Sequence, residues 1–204
     1  MDGSFLDSVY DGPSRLYAVS DTYLAVINDS LSVHIHDVAT MSTVCVMTLD
    51  FNVETHERAV SICLNGSTLI VGSARGLFMG MDVLTQEESF RVETSFRGHR
   101  RLATLCAAPE ELGLLFYTTT DDPNLYYINT AAAEQAEMVG TRGLRLDDFP
   151  DRAKSALIQQ TIPHPSEPIL FIVPSSGAVQ IWDYANLVKV CSGETLDADT
   201  GKYA

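Results

Sequence analysis

Ile169-Leu170-Phe171-Ile172-Val173, followed after a short break by Gly177-Ala178-Val179-Gln180-Ile181-Trp182-Asp183, is the stretch whose reading decides the fold. A five-residue apolar run bounded by turn residues has the length of a strand, not of a helix. The second run closes on a polar residue, Asp183, and a third short run, Leu187-Val188-Lys189-Val190, follows it. The plan is strand, turn, strand, polar stop, strand.

The same plan occurs three more times. Tyr23-Leu24-Ala25-Val26-Ile27 leads to Leu31-Ser32-Val33-His34-Ile35-His36-Asp37, with Val44-Cys45-Val46-Met47 after it. Thr68-Leu69-Ile70-Val71-Gly72 leads to Gly76-Leu77-Phe78-Met79-Gly80-Met81-Asp82, with Ser89-Phe90-Arg91-Val92 after it. Leu114-Leu115-Phe116-Tyr117-Thr118 leads to Leu125-Tyr126-Tyr127-Ile128-Asn129, where the following strand is unclear. Further strands precede units two to four, at 59–64, 102–107 and 156–161. Four short strands per unit at a long period is the pattern of a propeller blade.

The closing residues Asp37, Asp82, Asn129 and Asp183 follow one another at 45, 47 and 54 residues. Blades of the best-known repeat type recur at roughly 40–45 residues. The longest interval holds Gly140 to Asp151, a polar, aperiodic stretch that reads as an inserted loop. The best helix candidate, Asn129 to Val139, is short enough to be one turn within a loop.

Ile181-Trp182-Asp183 resembles the Trp-Asp ending of a WD repeat, and Gly98-His99 resembles the Gly-His that opens one. The resemblance covers about 170 residues and is degenerate. It implies an all-β fold, a β-propeller of WD-repeat type with about four blades in an incomplete or open ring. Residues 1–204 are read as one such segment, with blades near 16–50, 56–94, 99–140 and 154–193 and an insertion at 140–153. In this family an opening His, a Ser or Thr, a turn Asp and the closing Trp form a hydrogen-bonded set. The resemblance places His99, Thr120 and Asp122 in that set in the third unit, where Ile128 replaces the Trp. It leaves Trp182 and Asp183 in the fourth, Ser73 with Arg75 and the possible opener His56 in the second, and Asn28 with Ser30 in the first. These groups resemble a catalytic kit only in name. Their expected work is to hold blades, since an unpaired buried polar group costs about 1–3 kcal/mol.

Charge narrows the function. Thirteen Lys and Arg against 27 Asp and Glu give a formal net charge of −14. That opposes nucleic acid, which needs cations to neutralise phosphates, and anionic membrane surfaces. No long apolar segment for a membrane span and no secretory leader are seen, so cytoplasm or nucleus is expected. Cys45, Cys63, Cys106 and Cys191 form no Cys-x-x-Cys pair and read as reduced, buried thiols. Asn28-Asp29-Ser30 and Asn65-Gly66-Ser67 read as turns.

Other constellations lead to no chemistry. His34 and His36 share one strand face but lack a third ligand. Asp147, Asp148 and Asp151 lack the ligand order of a calcium loop, and no phosphate-cradling Gly-rich loop with a Lys is present. The expectation is a non-catalytic interaction scaffold, a subunit of a larger assembly, with no cofactor and no metal. Its expected contact residues are Glu57, Arg58, Arg75, Arg97, Arg100 and Arg101, suited to an acidic or phosphorylated segment. Two alternatives stand beside it. One is an open propeller completed by strands of a partner chain; the other is a phosphoinositide- or RNA-binding propeller using the basic run Phe96 to Arg101. The chain reads as part of a longer protein, as that open propeller, or as a compact four-bladed ring.

Overall fold

The computed structural model describes residues 16–27, 32–50, 59–94, 101–109, 113–120, 124–130, 157–175 and 179–185, together with the backbone of 188–193. The chain divides into two compact units, Met1–Ser95 and Phe96–Ala204.

In the first unit, β1 (Leu16–Val19), β2 (Tyr23–Ile27), β3 (Ser32–Asp37) and β4 (Thr43–Thr48) form one antiparallel sheet in chain order. A second sheet follows, with β5 (Ala59–Asn65), β6 (Thr68–Ser73), β7 (Leu77–Asp82) and β8 (Glu88–Glu93). In the second unit, β9 (Leu102–Ala107), β10 (Leu114–Thr119) and β11 (Leu125–Asn129) make a sheet that is three-stranded among the described residues. The fourth sheet is β12 (Ile158–Pro163), β13 (Ile169–Pro174), β14 (Val179–Asp183) and β15 (Val188–Gly193). The strands of each unit fall where the sequence puts them. β1 is an addition, because no strand is expected ahead of unit one. The helix candidate begins on Asn129, the last residue of β11; its positions 131–139, the insertion and its three aspartates lie outside the described residues.

Each unit has its own core, made by apolar faces of two sheets. Ala25, Val33, Ile35, Leu69, Val71 and Met79 close the first, with β1 lying against β5. Phe116, Leu125, Leu170 and Ile172 close the second, with β9 against β12. Two thiols bridge sheets. Cys45 donates to the Val83 carbonyl at 3.4 Å, and Cys106 to Thr161 Oγ1 at 3.2 Å.

A repeat hidden from the sequence lies in the bulges. The first-to-second strand register slips by one residue at Val60, Ala103 and Gln159, the same place in three sheets. The third-to-fourth strand register slips at Val44, Ser89 and Val190. A bulge bends its strand and adds twist, so bulges at matching places, both present in the second and fourth sheets and one in each of the others, give the sheets a common shape.

The closing aspartates have a physical reason. Asp37 Oδ1 accepts from the Thr40 N–H at 2.7 Å and its hydroxyl at 2.8 Å. Asp82 Oδ1 accepts from the N–H groups of Leu84 and Thr85, and Asp183 Oδ1 from that of Ala185. A carboxylate is the side chain best placed to cap such a turn. Hydrogen bonding holds both Asp37 and Asp82 below the ordinary carboxylate value, led by the backbone N–H of Thr40 and of Thr85. The turns then pass through positive φ at Met41 (57°) and Gln86 (61°), four residues after each aspartate.

Candidate functional site

The polar groups nearest the expected blade network are spent on closing sheets. Thr120 sits just past β10, where its N–H donates to the Arg101 carbonyl at 2.8 Å and its Oγ1 accepts from the Arg101 N–H at 3.0 Å. Ser175 makes the same pair of bonds with Leu157 at the equivalent place in the fourth sheet, at 2.7 and 3.1 Å. Ser73, fully buried, accepts from the N–H groups of Arg75 and Leu77 and so fixes the β6–β7 turn. The hydroxyl of Ser175 escaped the sequence reading. The pattern that reveals it is a Ser or Thr one residue beyond the second strand of a unit.

Trp182 projects from the same face of β14 as Gln180, and its indole N–H donates to Gln180 Oε1 at 3.0 Å. Gln180 is buried, so this bond satisfies an amide oxygen that would otherwise be costly. Asp183 caps its turn. His99 and Asp122 lie outside the described residues, as do Asn28, Ser30 and His56.

Of the expected contact residues, Arg75 and Arg101 are described and both are exposed. Arg75 occupies the β6–β7 turn of the first unit, and Arg101 directly precedes β9 in the second. Glu57, Arg58, Arg97 and Arg100 lie outside the described residues. Among the described residues there is no group of three or more His, Cys, Asp or Glu able to hold a metal, and no helix long and apolar enough to cross a membrane.

Cys45, Cys63 and Cys106 form no disulfide. Burial pushes the Cys106 thiol up to about 12, against the smaller opposing pull of its bond to Thr161. At pH 9 such a thiol is ionised in about one molecule per thousand, and only the thiolate is nucleophilic. Iodoacetamide at pH 8.5 is therefore expected to label Cys106 only after unfolding in urea. Labelling of the native chain at the unfolded rate would contradict the placement of this side chain.

Antiparallel sheets in chain order, paired through apolar faces and bulged at matching positions, make a β-propeller fold. About four blades are present, each a separate antiparallel sheet among the described strands. The chain is similar to the β-propeller domain of Cps50 (Swd1) from Myceliophteria thermophila, with a TM-score of 0.66 at 15% identity over 90% of this chain and 55% of that one. It is also similar to BamB from Moraxella catarrhalis, with a TM-score of 0.53 at 17% identity over 87% of this chain and 48% of that one. The chain thus spans about half the length of these solved structures. No family model and no curated protein matches it.

Proposed function

We propose that the chain is a non-catalytic protein–protein interaction scaffold, a subunit of a larger assembly that works in the cytoplasm or nucleus. The observation that carries this is the outer face of the fourth sheet. The second strand of each sheet is apolar on both faces, the composition of a strand covered on both sides. β2, β6 and β10 are buried at every residue after the first. β13 alternates instead: Leu170 and Ile172 are fully buried, while Ile169, Phe171 and Val173 are only half-buried. Ile162 and Ile181 flank Phe171 across the sheet, and Ile162 is 44% exposed. A partly open apolar sheet face of this kind is a natural seat for another protein surface. This observation favours the reading in which strands of a partner extend the propeller. Arg75, Arg97, Arg100 and Arg101 are each candidates for gripping an acidic or phosphorylated segment. Cys45, Cys63 and Cys106 form no disulfide, which suits a reducing compartment.

Affinity purification with the wild type, Phe171→Glu, and the Arg100→Glu/Arg101→Glu double variant tests the proposal. Loss of specific partners is expected with at least one variant, while circular dichroism stays that of the wild type. An identical set of partners for all three proteins would remove the scaffold reading.

A further inference from the structure

His34 and His36 lie two apart on β3, so both project from one sheet face. Their rings are stacked, with centroids 6.5 Å and planes 12° apart. The register places Val26 and Val46 beside His34, and Leu24 and Thr43 beside His36. His36 is 4% exposed, and its Nε2 is buried with no hydrogen-bond partner. Its Nδ1 lies 3.4 Å from Thr43 Oγ1. A neutral ring suits this site, because Nδ1–H can point at the hydroxyl and leave Nε2 a bare lone pair. An imidazolium does not suit it: the second N–H meets no acceptor, and a buried unpaired donor is costly.

No counter-charge is available within the sheet. From β2 the face presents Leu24 and Val26, and from β4 Thr43 and Val46. From β1 it presents Val19 and the titratable phenol of Tyr17. On β3 itself the other titratable group is His34, whose charge would repel. The carboxylate of Asp37 is turned into the next turn, toward Thr40.

We propose that this histidine pair is an acid-sensitive latch: neutral, it keeps β3 closed against β2 and β4; charging of His36 loosens the first sheet and uncovers the apolar face beside it. Leu24 and Val26 are buried there, at 3% and 1% exposure, next to Tyr17 and Val46, which are already exposed at 58% and 50%. The latch therefore offers an apolar surface in acid that it withholds at neutral pH.

Burial first, then repulsion from His34, holds His36 below its ordinary value of 6.5. The folded chain binds fewer protons than the unfolded chain in this range. The stability a neutral His36 supports is thus complete above about pH 6.5 and is lost as pH falls below that, toward the lowered value. Asp37 and Asp82 are held below 3.8, so their losses begin at much lower pH and do not overlap.

Amide hydrogen exchange on the full chain at pH 7.5 and 5.5, corrected for intrinsic rates, reads the latch. Protection of residues 32–48 is expected to drop at the lower pH while 68–82 holds, with about tenfold, the factor for one pH unit of single-proton linkage, as the ceiling. His36→Leu should abolish the drop. Should that variant not fold, His34→Gln, which removes only the repelling neighbour, should shrink it. Unchanged protection in the wild type, or the same drop in every folded variant, would overturn the proposal.

Discussion

Phe116→Ala is expected to lower the stability of the Phe96–Ala204 unit by about 3–5 kcal/mol, the cost typical of emptying a buried aromatic site. The ring is 1% exposed and lies in the cluster that joins the third and fourth sheets. It meets Tyr184 at 5.1 Å between centroids in a tilted arrangement, which adds a favourable aromatic contact to the lost area. Leu125, Leu170 and Ile172 are fully buried beside it, each set by a strand whose backbone is hydrogen-bonded. Such walls collapse poorly, so much of the cavity should persist. Phe116→Leu, which keeps most of the volume, is expected to cost about 1 kcal/mol. The chain holds one tryptophan, Trp182, which packs against this same cluster. Urea unfolding followed by its fluorescence therefore reports the right unit. Equal midpoints for Phe116→Ala and the wild type would mean that the ring is not where the structure puts it.

The reading from sequence found the strands because apolar runs of five or six residues, stopped by polar turns, leave few other choices. It found the closing positions because Asp37, Asp82 and Asp183 each cap a turn with a carboxylate, and that need repeats with the fold. It missed β1, whose four residues Leu16–Val19 gain their identity from pairing with β2 and from lying against β5, the latter an effect of distant chain. The bulges at Val60, Ala103 and Gln159 were illegible for a related reason. A bulge is a register choice between two strands and requires no particular side chain. The site was less legible than the fold. Arginines on turns can be listed from sequence, but Arg75 and Arg101 fall in different units. The half-covered face of β13 could not be foreseen, because Ile169–Val173 is at least as apolar as β6 and β10, which are buried beyond their first residue. Coverage depends on what lies opposite, and a strand's own residues do not say.

Gly80 is the position where a single added side chain should do most harm. It lies mid-strand in β7, between Ile70 and Phe90 in the cross-strand register. Glycine weakens a strand, so its presence there needs a reason. The reason is the ring of Phe90. A Cβ on residue 80 would stand 2.5 Å from Phe90 Cδ1, closer still to Cε1, and 2.7 Å from Ser89 Oγ. The bulge at Ser89 brings that ring over the glycine. Gly80→Val is accordingly expected to destabilise the chain by about 2–3 kcal/mol, the upper range for overpacking, and Gly80→Ala by about 1–2 kcal/mol. The Ser89 hydroxyl, the end of an exposed and rotatable side chain, can turn away, so most of both costs comes from the ring and should vanish when it is removed. In a Phe90→Ala background, Gly80→Val should be neutral or slightly stabilising, because a β-branched residue suits a strand. The double-mutant cycle is then expected to show a coupling of about 2 kcal/mol, where independent sites add within a few tenths. Additive effects in urea unfolding would show that the ring does not occupy the space the glycine leaves. They would also show that the bulge at Ser89 has some other reason to exist.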